Sequence, residues 1–316
     1  MPEYLHNHKD FTALIKIVAD ERGIDPGLVE KDYWIMHALY GLKTQGFEFE
    51  LKGGTSLSKG YKIIDRFSED IDIHIKPNEK FGIDESPKNC KEGNVAKRKE
   101  FYDSLAKEIK ISGITDVVRD TEFDEPKCYR SGGIRLHYKT VANKVEALKE
   151  GILLEAGFDD ITPNSPITIS SWAYDKAVEM KVEIIDNRAI DVICYHPGYT
   201  LVEKLQTIAT KFRQEQTKGI EGVNFMRQYY DVYCLLGNDE VLKFIGTQEY
   251  QKHKEKRFPK ADLEIPIPKN EAFLLSSKEI RDSYAKRYKK TAALYYKGQP
   301  SFDDLMTRIV SHIQKL

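Results

Sequence analysis

Asp70 and Asp72 stand one residue apart in EDIDIHI, and the stretch LKGGTSLSKG, with Gly53, Gly54 and Thr55, runs ahead of them. In a strand alternate residues share a face, so Ile71, Ile73 and Ile75 point one way and Asp70, Asp72 and His74 the other. Carboxylates side by side are ligands for hard cations, and two Mg²⁺ ions about 4 Å apart would bridge phosphate oxygens and activate an attacking hydroxyl. Two glycines where a strand gives way to a helix let the backbone approach a ligand, with the N–H groups of the first helical turn facing an anion. Each half has an ordinary reading by itself, as a turn and as a solvated strand face. Together they are complementary halves of a site for a nucleoside triphosphate on Mg²⁺.

Such a site calls for a third acid on a neighbouring strand. Glu155 in GILLEAGF lies inside an apolar run, where an unpaired carboxylate is costly to bury. Glu183 in MKVEII is the alternative, with Lys181 or solvent as its ordinary partner.

The elements that must position these groups are legible from periodicity. Phe11, Leu14, Ile15 and Val18, then Leu28, Trp34, Ile35, Ala38 and Leu39, recur at helical spacing on either side of a break at Gly23 to Pro26. GFEFELKGG alternates as a strand ending at the glycines, and a helix is expected just after them, capped by Thr55 or Ser56, with Leu57, Tyr61 and Ile64 on one face. Lys76 to Asn94 reads as a loop, Val95 to Ile111 as a helix, and Gly133 to Tyr138, Ile152 to Phe158 and Val178 to Ile185 as strands. From TLVEKLQTIATKF and NFMRQYYDVYCLL onward the period is helical, apart from a break at Pro259 to Pro268. The expected fold class is α/β (α+β): a mixed sheet core with N-terminal helices over residues 1–197, and a helical C-terminal domain over 198–316.

The motifs resemble those of the AbiEii/AbiGii-type toxin nucleotidyltransferases, within the DNA polymerase β-like nucleotidyltransferase superfamily. The likeness rests on Gly53-Gly54-Thr55-x-Leu57-x-Lys59, on Arg66-x-Ser68-x-Asp70-Ile71-Asp72, on Glu203-Lys204-Leu205, on Arg227-x-x-Tyr230-Asp231 and on LVEKDYW from Leu28 to Trp34. The resemblance implies a nucleotidyltransferase-fold core in which Gly53, Gly54 and Thr55, with Lys59, Arg66 and Ser68 of the same motifs, bind the nucleotide. It implies Mg²⁺ on Asp70 and Asp72, with Glu155 as the third acid, Lys204 neutralising the nucleotide's phosphates and Asp231 orienting the nucleotide or the lysine. His74 takes a position that is usually apolar in the family, and its role stays open. Without the motif context Lys204 reads as a solvated charge beside the stripe Leu201, Leu205, Ile208 and Phe212, and Arg227 with Asp231 as a weak i, i+4 pair.

Composition bounds the rest. The 316 residues are 41% hydrophobic and 31% charged, a globular composition with room for about two domains. No apolar run reaches the length of a membrane span, and the N-terminus lacks a signal-peptide core, so membrane insertion and export are not expected. Cys90, Cys128, Cys194 and Cys234 form no C-x-x-C pair, which reads as reduced thiols in a cytoplasm and folding without disulfides. Net charge is −1, yet Leu242 to Lys297 carries 14 Lys and Arg against 7 Asp and Glu. Within it RDSYAKRYKKTAALYYK interleaves cations with Tyr284, Tyr288, Tyr295 and Tyr296, a pattern suited to phosphates and unpaired bases of an RNA end, or else to an ordinary amphipathic helix.

Three functions follow as alternatives. The first is transfer of NMP from an NTP to an RNA 3′ end, tRNA foremost, by the toxin of a toxin–antitoxin pair with a cognate antitoxin as partner. The second is the same chemistry on a protein or small-molecule hydroxyl, such as that of an antibiotic. The third is nucleotide binding without catalysis, which the intact Asp70, Asp72 and Lys204 disfavour.

Overall fold

The computed structural model describes residues 1–86, 88–143, 148–159, 162–219, 221–222 and 224–316. They form two compact units, one of residues 1–61 and 67–195, the other of residues 62–66 and 196–316.

The first unit is built around α2 (Pro26–Thr44), which follows α1 (Phe11–Arg22). Asp25 caps α2 by accepting from the Gly27 N–H, and Pro26 occupies its first turn, where a missing N–H is harmless. Every residue of α2 from Leu28 to Leu39 is buried. A helix enclosed all round belongs to the core of its unit.

Seven strands make one mixed sheet: β1 (Phe49–Lys52), β2 (Asp70–Ile75), β3 (Ile114–Asp120), β4 (Ser131–Tyr138), β5 (Ile152–Gly157), β6 (Asn164–Ile169) and β7 (Ala189–Tyr195). Their order is β3-β4-β5-β2-β1-β7-β6. β1 runs antiparallel to β2 and parallel to β7, while β2 runs parallel to β5. Ile71, Ile73 and Ile75 are buried as the alternation requires, and Asp70, Asp72 and His74 occupy the other face. Three further helices belong here: α3 (Gly53–Thr55), α4 (Glu92–Glu108) and α5 (Trp172–Glu179).

Several expectations are corrected. The turn after the glycines does not lengthen into a helix through Ile64: α3 passes into a single π-helical turn over Ser56–Gly60, closed by the Tyr61 N–H on the Ser56 carbonyl. Val178 to Ile185 is the end of α5 and the chain beyond it, with one bridge from Ile184 to Glu3. β3 and β6 carry no strand signal in the sequence because they are sheet edges, β6 holding Pro166, and an edge strand need not alternate. In β7 the positive φ of Asp191, 51°, interrupts the alternation. Cys90 and Cys128, 38 residues apart, are joined as a disulfide, against the expectation of reduced thiols, because the fold brings their Cα atoms to 4.7 Å. Cys194 and Cys234 are free thiols.

The second unit is helical: α6 (Pro197–Lys218), α7 (Arg227–Leu235), α8 (Asp239–Phe244), α9 (Gln248–Arg257), α10 (Lys260–Leu263), α11 (Glu271–Leu274), α12 (Lys278–Lys289) and α13 (Phe302–His312). Leu201, Leu205 and Ile208 of α6 are fully buried, and α7 packs on α6 and α13. Tyr284, Tyr288 and Tyr295 are buried as well, with the Tyr284 hydroxyl donating to Glu215. These three tyrosines are core residues and offer no faces for stacking bases. None of the described helices is long and apolar enough to cross a membrane.

Candidate active site

The glycine turn and the D-x-D strand touch. Gly53 has φ +70°, and a Cβ placed on it would fall 2.0 Å from Asp72 Oδ2, so only glycine lets β1 turn here against the β2 carboxylate. Thr55 Oγ1 donates to the Asp70 carbonyl oxygen and Ser56 Oγ to that of Gly53, 3.0 Å away. The Thr55 hydroxyl thus ties the turn to β2. Lys59, at the end of the turn, pairs with the buried carboxylate of Asp32 and lies 5.7 Å from the centre of the Trp172 ring. Ser68 is half-buried just ahead of β2.

The carboxylates come from two neighbouring parallel strands. Across β2 and β5, Asp70 pairs with Leu153 and Asp72 with Glu155. Glu155 therefore stands beside the D-x-D pair, whereas Glu183 is exposed and outside the sheet. Burial, then the charge of Asp72, pushes the Glu155 carboxyl up to about 7, with Lys52 opposing the shift. Asp70 is likewise raised, by burial first and by Glu69 and Asp72 after it, against the pull of Lys149. Among the described residues Asp70 Oδ1 is buried with no hydrogen-bond partner.

These features fit a divalent cation. Carboxylate oxygens are the ligands Mg²⁺ takes, a cation would satisfy the orphaned Asp70 oxygen, and it would relieve the repulsion that keeps Glu155 protonated near neutrality. Among the described residues no three His, Cys, Asp or Glu side chains already converge as a metal cage. Mg²⁺ bound through one or two carboxylates and a substrate's phosphates needs no such cage. Further along β2, His74 is bracketed by carboxylates, Nδ1 3.1 Å from Glu50 Oε2 and Nε2 2.8 Å from Glu85 Oε2.

Arg66, Lys204 and Asp231 assemble in the second unit. Asp231 is fully buried, takes Arg66 Nε at 2.6 Å and Nη2 at 2.7 Å, and pairs with Lys204 Nζ at 3.0 Å. Burial opposes its ionisation, but Arg66 and Lys204 outweigh that and hold the carboxyl below its usual range. Lys211, two turns beyond Lys204 on α6, has its ammonium disfavoured by burial and by the charges of Lys204 and Arg227. Three cations crowded on one helix pair make a region that favours an anion.

Lys211 and the buried charges of α2 were not foreseen. The signal for the latter is present: Glu30-Lys31-Asp32 interrupts an apolar helix, and charges in that setting are buried only with partners.

Comparison with known proteins places the chain in a family. The model of a family described as "Nucleotidyl transferase AbiEii toxin, Type IV TA system" matches residues 37–308. No curated protein matches the chain. Among solved structures, that of JHP933 from Helicobacter pylori aligns over 92% of either chain with 16% identity and a TM-score of 0.44.

Proposed function

Since the chain belongs to the AbiEii nucleotidyl transferase toxin family, we propose that it moves NMP from an NTP to an acceptor hydroxyl in a Mg²⁺-dependent reaction. The observation that carries the reading is the contact of three parts in one place: Gly53 against Asp72, Asp72 opposite Glu155, and the unpartnered buried oxygen of Asp70. Gly53 and Gly54 let the turn backbone approach the triphosphate, and the turn's N–H groups face its anionic oxygens. Asp70, Asp72 and Glu155 would hold Mg²⁺, which when bound supplies the positive charge that activates the attacking hydroxyl and draws off pyrophosphate. Glu155 would release its proton to solvent on binding the cation. The likeness of Glu203-Lys204-Leu205 to the family's motif assigns Lys204 to a phosphate, and within the second unit Asp231 fixes the direction of its ammonium. Arg66 keeps Asp231 ionised for that task. Thr55 and Lys59 act within the turn, through the Asp70 backbone and Asp32, rather than as direct phosphate ligands.

The acceptor is an RNA 3′ end, with tRNA foremost, and the setting is a cytoplasmic toxin–antitoxin pair with an antitoxin partner. The exposed Lys286, Lys289 and Lys290 of the basic C-terminal stretch support an RNA backbone as partner. Burial of Tyr284, Tyr288 and Tyr295 removes the stacking surface that favoured RNA most and keeps a protein or small-molecule hydroxyl as the second reading.

The test is incubation of the protein and its Asp72→Asn variant with Mg²⁺, each labelled NTP in turn and total RNA, followed by a denaturing gel. Asp72-dependent label in a tRNA-sized band is the expected result. Label absent from RNA but present on protein or on a small-molecule acceptor would move the acceptor to the second reading.

A further inference from the structure

Three consecutive residues of α2, Glu30, Lys31 and Asp32, are exposed by no more than 1%, 2% and 1%. Successive helix positions point about 100° apart, so each reaches a different segment. Glu30 accepts from the Val141 and Ala142 N–H groups and from Thr140 Oγ1. Asp32 accepts from the Trp172 N–H and from Lys59. Lys31 Nζ donates to Glu69 Oε2 at 3.1 Å and to the Lys149 carbonyl at 2.7 Å, while the Lys149 N–H donates to the same Glu69 oxygen at 2.9 Å.

Lys31, Glu69 and Lys149 thus close a ring of three bonds. Glu69 directly precedes Asp70, and Lys149 lies just ahead of β5, which begins at Ile152. β2 and β5 are parallel, so no hairpin turn sets their register, and a slip of one residue would carry Glu155 to the opposite face. The ring fastens the pair at the end where the carboxylates lie. Burying an ammonium and a carboxylate is a poor source of stability and is better explained by the arrangement it enforces.

We propose that Lys31 is a positioning residue that sets the β2–β5 register and, through it, the disposition of Asp70, Asp72 and Glu155. The inference rests on the reading of those carboxylates as a cation site. It requires that the effect of Lys31 on the site be separable from its effect on folding. Lys31→Met leaves Glu69 buried and unpaired and lowers stability, whereas Lys31→Met/Glu69→Gln removes both charges and regains most of it.

The test measures thermal unfolding and Mn²⁺ binding, the latter by electron paramagnetic resonance, for the full chain, both variants and Asp70→Asn. The expected result is a double variant with near wild-type unfolding temperature and Mn²⁺ affinity reduced at least 10-fold. A double variant that regains stability and Mn²⁺ affinity together overturns the inference and leaves Lys31 a structural residue. If the double variant does not fold, Lys31→Arg serves, because its longer, larger head cannot fit this fully buried position without displacing Glu69 or the Lys149 segment. Weakened Mn²⁺ binding in folded Lys31→Arg protein supports the proposal, and wild-type binding overturns it. Mn²⁺ binding that is indifferent to Asp70→Asn overturns the underlying cation-site reading instead.

Discussion

Asp72 stands directly across the parallel β2–β5 pair from Glu155. Two carboxylates so placed do not both ionise readily without a cation, and burial adds to the penalty. The consequences are measurable.

The first concerns pH. Glu155 is pushed up to about 7 by burial and then by Asp72, above the ordinary value of 4.5 that it has in the unfolded chain. Between those values the folded protein holds a proton that the unfolded chain releases, so the stability contribution is full below about pH 4.5 and is lost as pH rises through about 7. Glu155→Gln is expected to raise stability at pH 8 by about 1–3 kcal/mol and to flatten the decline from pH 5 to 8. Urea titrations across that range check it, and an unchanged slope would refute the assignment.

Asp70→Asn is expected to reduce nucleotidyl transfer by at least about 10³-fold while leaving the unfolding temperature equal or slightly higher, because the buried carboxyl already resists ionisation. Mg²⁺ at millimolar concentration is expected to raise the unfolding temperature of the wild type and not of this variant. An active Asp70→Asn protein would remove the proposed mechanism.

Gly53→Ala combines a left-handed backbone with a methyl group driven into Asp72. We expect a stability loss of about 1–3 kcal/mol and a larger loss of transfer activity, since the displaced atom is a carboxylate oxygen of the site. Calorimetry and the label-transfer assay compare the two losses. Full activity at reduced stability would show that Asp72 Oδ2 is not needed where it lies.

Within the second unit, Arg66→Ala leaves Asp231 buried with only Lys204 and should cost about 3–5 kcal/mol. Lys204→Ala retains the bidentate arginine and should cost about 1–2 kcal/mol, yet weaken NTP binding about 10-fold or more. Denaturant titration and calorimetric NTP binding separate the two effects. Unchanged NTP affinity in Lys204→Ala would reduce this lysine to a structural partner of Asp231.

What was legible beforehand was local. A period of two put Asp70 and Asp72 on one strand face, and the glycine pair marked a turn that had to come close to something. The E-K-L and R-x-x-Y-D helices were found by period and motif, because a helix declares its face over a few turns. What only the tertiary structure decided is everything that depends on non-neighbours. Glu155 rather than Glu183 accompanies the aspartates because β5, and not the chain after α5, pairs with β2. Arg66 meets Asp231 across 165 residues, and Lys31 meets Glu69 across 38. Tyr284, Tyr288 and Tyr295, among the basic residues of α12 and beyond, turned inward, since an aromatic at helical spacing serves a core as readily as a base. Periodicity states which residues share a face, and it carries no information about what that face will meet.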